Sequence, residues 1–337
     1  MRMNGHLAAA ALLAAITLGC SSPSSSDVDS GSNGADASAD AVPDVQPADS
    51  SADVLPDSSG SDGPVGPDGI GPVDDKLPLP NTLVGTIRAI EEPPWDGGDK
   101  PNSRVEIELW SGLNPNVVSQ KVVAEEGECV LLVGPQTMPF ACQPECDPST
   151  LCVDGECVPY PSHLSAGTIT VDGLAQKVTI PPGDQNYYAG TFLESTDLFT
   201  PGAAIHATST GADLPPLNLL AGGVPELDGD FDALQIEKGK SITFTWKPAA
   251  DNPPGGRVFV QLMTGWHGSP NLTTIWCDSP DDGQILVPKS MVDQFPSVSC
   301  GECELSYAGR MTVDTVEVEG GVIALQVITR HGFVAWW

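Results

Sequence analysis

SITFTWKPAADNPPGGRVFVQL, residues 241–262, decides the fold class. Ile242, Phe244 and Trp246 take alternate positions in its first part, and Val258, Val260 and Leu262 do so in its last. A period of two puts each trio on one face of an extended strand. The proline- and glycine-rich piece between them cannot continue either strand and reads as a turn. The stretch therefore predicts two strands, each with one apolar face.

The same pattern recurs on both sides. Thr82–Ile90 and Arg104–Trp110 alternate across a loop rich in Pro, Gly and Asp, and Val117–Val123 and Cys129–Val133 follow. Further on come Gly167–Val171, Gln176–Ile180, Ala203–Thr210, Leu272–Cys277, Gln284–Val287, Met311–Val318 and Val322–Thr329. Only Lys289–Gln294 suggests a helical turn. Many short β-branched runs between Gly/Pro turns predict an all-β fold, an antiparallel β-sandwich over residues 77–337, as one unit or two packed ones split near 160. The chain ends FVAWW, an aromatic terminus that resembles the end signal of outer-membrane barrels. No series of roughly ten-residue strands with lipid-facing rows accompanies it, so a final strand burying a Trp is the expectation.

Composition divides the chain. Of 337 residues, 45 are acidic and 14 basic, for a net charge of −31. Residues 21–76 hold twelve Asp, seven Pro, one Lys and no aromatic residue. Such a segment lacks the apolar surface to offset ordering entropy and is expected to be a disordered linker. As a flexible coil it would span ~40 Å, and fully stretched about 190 Å. So acidic a chain is repelled by nucleic acid, which is excluded as a partner.

Ahead of the linker, LAAAALLAAITLGC (Leu7–Cys20) follows the positive Arg2. The apolar run is too short for a span of roughly 20 residues and fits a secretion signal over 1–19. Residues 16–20 resemble the lipobox of bacterial lipoproteins, with Thr17 and Leu18 departing from its favoured pattern. The resemblance implies lipid attachment at Cys20, palmitate among the acyl chains, and a lipid bilayer as partner. With Ser21 next to Cys20, it implies an outer-membrane lipoprotein facing the periplasm or the cell surface. An ordinary cleaved signal with an incidental cysteine is the alternative.

Eight further cysteines would be exported into an oxidising space, where disulfides are expected: Cys129, Cys142, Cys146, Cys152, Cys157, Cys277, Cys300 and Cys303. Five precede residue 160 and three follow 270, so full pairing requires at least one bridge between the groups. That would staple a cysteine-rich insert, 129–160, to the later strands. The cluster ACQPECDPSTLCVDGECV resembles fragments of EGF-like and other small extracellular modules. That resemblance implies alternate pairing, Cys142–Cys152 and Cys146–Cys157, and no activity. Zinc wants tighter paired spacing, and Cys300-Gly-Glu-Cys303 lacks the helix setting of a redox motif. From 77 onward the chain also resembles uncharacterised cysteine-containing surface lipoproteins of myxobacteria and relatives, on the runs DGECVPYP, SAGTITVDGL, FTW and IWCDSPDDGQILVP. This implies location and β architecture only.

The sequence carries no catalytic signature. It has no G-x-S-x-G elbow, no phosphate loop ahead of a helix, and no paired spacing among His163, His206, His267 and His331. Trp266 and His267, in a glycine-flanked turn, are candidate ligand contacts, because an aromatic ring there could stack on a sugar. Asp228, Asp230 and Asp232 alternate and are the candidate calcium ligands, although the EF-hand pattern fails at Ala233 and Gly239. Asp278, Asp281 and Asp282 read first as turn residues. The leading expectation is a non-enzymatic display or binding lipoprotein that contacts a glycan or envelope protein. A secreted polysaccharide hydrolase using loop carboxylates, and a calcium-dependent adhesion module, are the alternatives.

Overall fold

The computed structural model describes residues 76–336 apart from 95–101, 114–119, 135–141, 154, 194, 196, 230, 232, 267, 268 and 297–305. Residues 1–75, which hold the expected signal, Cys20 and all but the last residue of the expected linker, lie outside the described residues, as do Cys300, Cys303, Asp230, Asp232 and His267.

Eighteen strands carry the described chain. They are β1 (Leu83–Glu91), β2 (Arg104–Leu109), β3 (Lys121–Glu126), β4 (Cys129–Val133), β5 (Thr150–Val153) and β6 (Glu156–Pro159). Then come β7 (Ile169–Asp172), β8 (Val178–Ile180), β9 (Thr191–Phe192), β10 (Ala204–Ser209), β11 (Asn218–Gly222) and β12 (Ala233–Gln235). The last are β13 (Ile242–Thr245), β14 (Arg257–Trp266), β15 (Ser269–Pro280), β16 (Gln284–Val287), β17 (Ser306–Val318) and β18 (Gly321–Trp336). A single helical turn, α1 (Lys289–Val292), stands where Lys289–Gln294 suggested one. The fold is all-β, as expected.

The large sheet has ten strands in the order β3-β4-β15-β14-β17-β18-β1-β2-β9, with β12 also on β18. Its pairs are antiparallel except β1–β18 and β12–β18, which are parallel. The sheet draws strands from both sides of residue 160. A four-stranded sheet, β11-β10-β7-β8, and the pair β13–β16 pack on one of its faces.

Alternation fixes that inner face. Val84, Ile87 and Ala89 of β1, Val105 and Ile107 of β2 and Leu325 and Val327 of β18 meet Ile169, Ile205 and Leu219 in one core. Val258, Val260 and Leu262 of β14 and Ile275 of β15 meet Ile242, Phe244, Ile285 and the α1 residue Met291 in a second. Both apolar trios of residues 241–262 are thus buried together, with Trp246. Strands β17 and β18 run through both cores: Ala308 and Phe333 belong to the second, Val316 and Leu325 to the first.

Between the cores, the same face of β17 and β18 turns polar. Arg310, Thr312 and Thr329 are each at most 2% exposed there. The chain leaving β11 crosses this seam, and its carbonyls would be orphaned without donors. Thr312 Oγ1 donates to Gly222 O, Thr329 Oγ1 to Pro225 O (2.8 Å) and Arg310 Nη1 to Glu226 O. Arg310 also donates through Nη2 to Lys247 O (2.8 Å) and through Nε and Nη2 to the Asp281 carboxylate (3.0 and 3.1 Å). Asp281 further accepts from Trp246 Nε1 (2.6 Å) and Ala249 N (3.0 Å). Pro280-Asp-Asp-Gly is the turn its sequence announces, but Asp281 points inward from it.

The cysteine-dense segment forms the small β5–β6 hairpin, with bridges Cys142–Cys152 and Cys146–Cys157 in the alternate pairing. The bridge between the two cysteine groups is Cys129–Cys277. It joins directly opposed residues of β4 and β15, so it staples two neighbouring strands rather than an insert to the sheet. Cys129–Val133 is part of the large sheet, and the insert begins after it.

Arg310 generates the first prediction. Replacing it with Ala leaves a buried carboxylate and two carbonyls without their donor. Breaking a buried pair from one side costs about 3–5 kcal/mol. The Arg310→Ala midpoint in urea should fall accordingly with the slope unchanged, and a loss under 1 kcal/mol would show the seam to be dispensable.

Candidate functional site

The outer face of the large sheet is only partly covered. Residues 77–82 form a strap across it. Leu77 N donates to Asp278 Oδ2 of β15 (3.1 Å), and the strap ends where Leu83 opens β1. Leu77 and Leu79 pack on Phe259, Trp276, Met311 and Ile328, outward residues of β14, β15, β17 and β18. Each outward aromatic sits between inward apolar residues, Phe259 between Val258 and Val260 and Trp276 between Ile275 and Cys277. Their runs read as continuously apolar because both faces are covered there.

Beside the strap lies a hollow of about 190 Å³. Pro80 and Leu83 form its strap-side wall, and Phe259, Trp276, Met311 and Ile328 supply apolar lining. Trp110 also lines it, stacked on His163 at 3.8 Å between ring centroids. The polar lining is Thr86, Gln261, Gln326, Arg330 and the pair Arg88–Glu108. Register brings these together: Thr86 lies opposite Glu108, Arg88 opposite Gln326, and Gln261 opposite Trp276. Three donors on lining residues, Arg88 Nε, Trp110 Nε1 and Trp276 Nε1, are buried without an acceptor among the described residues. An unmet buried donor costs roughly 1–3 kcal/mol.

A ladder of alternating charge borders the hollow. Arg330 Nε and Arg104 Nη1 each lie 3.1 Å from Glu92 Oε2. Arg104 Nε bonds Glu106 Oε1 (2.5 Å), and Arg88 Nη2 lies 3.2 Å from both Glu106 and Glu108. The Arg330 guanidinium also covers the Tyr307 ring at 3.9 Å. It reaches across β17 at Gly309, where any Cβ would collide with Thr329 O and Arg330. Burial pushes the Glu92 carboxyl up, but Arg330 and Arg104 outweigh it and hold the group below its usual range. Glu106 behaves likewise between burial and the arginines Arg88, Arg104 and Arg330. Of the five arginines after residue 77, four (Arg88, Arg104, Arg257 and Arg330) stand on this outer face, each against a carboxylate.

Round the end of β1, Glu91, Asp197, Glu226 and Arg330 line a second cavity of about 280 Å³. Glu91 Oε2 accepts from Leu198 N (2.7 Å). Burial pushes Glu91 up to about 7; the Leu198 and Phe199 amides pull it down, while Asp197 and Glu226 push it further up.

The residues singled out from sequence lie elsewhere. Trp266 ends β14 opposite Ser269 of β15, and His267 and Gly268 lie outside the described residues. The Trp266 side chain is not among those described. Asp228 is exposed, and its carbonyl takes the Lys247 amide. Among the described residues, the one group of Cys, His, Asp or Glu ligand atoms close enough to share an ion is Cys142, Cys146 and Cys152, whose sulfurs are in disulfides. His206 sits on β10 with Nε2 2.5 Å from Asn218 Oδ1 of β11, a satisfied strand residue. Sequence reading missed the hollow because its residues come from six strands and the strap. The one visible signal was the aromatic at an outward position in β14 and β15.

The fold and the hollow define an all-β sandwich protein with a lined recess on its open sheet face. No protein-family model matches the chain, and no curated protein sequence does. Among solved structures, the crystal structure of the FN1–FN3 domains of chicken CNTN1 is similar over 62% of this chain, at 10% identity and a TM-score of 0.15. The chain spans 63% of that structure's length.

Glu91 gives a pH prediction. Its ordinary value is 4.5 and its folded value about 7, so between these the folded state binds more protons than the unfolded. Its contribution to stability is complete below the lower value and is lost as pH rises through the upper one. Glu91→Gln keeps the acceptor for Leu198 and removes the titration. The variant's melting temperature should match the parent at pH 4.5 and exceed it by a few degrees at pH 8. An equal difference at both pH values would refute the assignment.

Proposed function

We propose that the chain is a bacterial outer-membrane lipoprotein that displays its β-sandwich for binding and performs no reaction. In this reading residues 1–19 are a removed signal, Cys20 carries the lipid and residues 21–76 hold the sandwich away from the bilayer on an acidic linker. The partner is a glycan or an envelope protein on the periplasmic or outer side. One observation supports binding over catalysis: among the described residues, the hollow combines an aromatic and aliphatic lining with amides and a single carboxylate, Glu108, which Arg88 holds at 3.2 Å. A hydrolase of the two-carboxylate type needs a second acid across the scissile bond, and Glu106, the nearest on β2, is held by Arg88 and Arg104.

The disulfides fit an oxidising compartment, and three are present among the described residues. The test is Cys20→Ser in the producing cell, followed by fractionation and radiolabelled palmitate. Parent protein should pellet with envelopes and take up label. The variant should be soluble and unlabelled, and its equal retention in the pellet would overturn the anchor. The soluble full-length variant, added back to isolated envelopes, should bind saturably; binding that only grows linearly with concentration would overturn the display reading.

A further inference from the structure

The hollow's chemistry names a ligand class, and this step rests on the binding reading above. We propose that the hollow is a subsite for one uncharged sugar ring, free or at the end of a glycan. Size comes first. Pockets for drug-sized ligands run to about 300–1,000 Å³, whereas this one is about 190 Å³. It takes a single ring, not a chain laid along the sheet.

Charge comes second. Every arginine on the outer face is already opposed by a carboxylate, Arg88 by Glu106 and Glu108, Arg330 by Glu92, Arg257 by Asp278. Among the described residues lining the hollow, neither cation, Arg88 or Arg330, is left over to hold a phosphate or carboxylate, and a ligand cation would face the same balance. A free amino acid or chain terminus would bring charge that this site does not complement.

Hydrogen bonding comes third. Gln261 and Gln326 each offer both a donor and an acceptor, Thr86 a hydroxyl, and the Arg88–Glu108 pair both kinds of group. A ligand meeting such walls must donate and accept around its whole rim, which ring hydroxyls do and an apolar molecule does not. The remaining lining is aromatic and aliphatic, at Trp110, Trp276, Met311 and Ile328, and suits the C–H face of a pyranose. The mixed polar and apolar walls thus have one common answer.

The experiment uses the full-length Cys20→Ser chain and its intrinsic tryptophan fluorescence, since two of the lining residues are Trp. The panel is glucose, galactose, mannose, rhamnose and N-acetylglucosamine, against glucuronic acid, inorganic phosphate and glycine. At least one neutral sugar should shift the emission saturably, in the millimolar range expected of a single small ring. Gln326→Ala should weaken that binding about tenfold, as for one or two lost hydrogen bonds, with the melting temperature unchanged. Gln261→Ala is the second variant should Gln326→Ala unfold. A panel in which no neutral sugar shifts the signal, or in which only a charged compound does, overturns the proposal. Envelope rebinding separates the two readings. Saturable rebinding that no sugar competes sinks the sugar subsite and leaves the display reading standing, whereas no saturable rebinding and no sugar response sinks both.

Discussion

The buried contact between Arg310 and Asp281 sets what the rest of the molecule can be. A sheet of ten strands with two cores on one face has a boundary between them, and the chain must cross that boundary after β11. Crossing exposes carbonyls to a dry interior. One guanidinium meets one of those carbonyls, at Glu226, another at Lys247 after β13, and one carboxylate, and the carboxylate in turn holds Trp246 and the Ala249 amide. Remove the pair and β13, the turn before β16 and the segment after β11 lose their common point of attachment. Apolar packing gives each core its stability, while the polar seam fixes how the second covering layer is placed relative to the first.

The outer face uses charge differently. Its arginines and carboxylates alternate across three adjacent strands, β18, β1 and β2, round the buried Glu92, with the Arg88 pairs at partly exposed positions. Such pairs contribute little singly. Their effect is to organise: Arg88 and Arg104 are each claimed by two acids and Arg330 by Glu92, so the recess next to them is bounded by groups that cannot reorient freely. A chain carrying a net charge of −31 thus offers a locally balanced surface where its recess lies.

Much of this was legible in the residues. Alternation in SITFTW and RVFVQL predicted the inner face correctly, and Cys129–Val133 and Gln284–Val287 have the predicted bounds. The resemblance of Cys142 to Cys157 to small extracellular modules implied the alternate pairing that is present. What stayed hidden depended on partners distant in sequence. Asp281 in a Pro-Asp-Asp-Gly turn looks solvated until Arg310, 29 residues later, is brought beneath it. NLLAG of β11 is five residues between Pro215-Pro216 and Gly223, too short to show a period. The parallel pairing of β1 with β18 joins strands more than two hundred residues apart, and Thr86, Arg88, Gln261 and Gln326 converge only once that register exists. Trp266 and His267 drew attention as local oddities, whereas the recess is a product of topology.

The strap has a mechanical consequence. It lies across strands rather than along one, held by a single amide–carboxylate bond at Leu77, two leucines and the Asn81 contact with the Gln120 carbonyl. A pull arriving from residues before 77 would load this crosspiece before it strained the ladders of β1, because peeling a transverse segment breaks contacts one at a time while shearing a strand breaks them together. Pro80 would leave with it, and Pro80 is a wall of the recess. Tension on the leading segment and the shape of the recess are therefore mechanically linked.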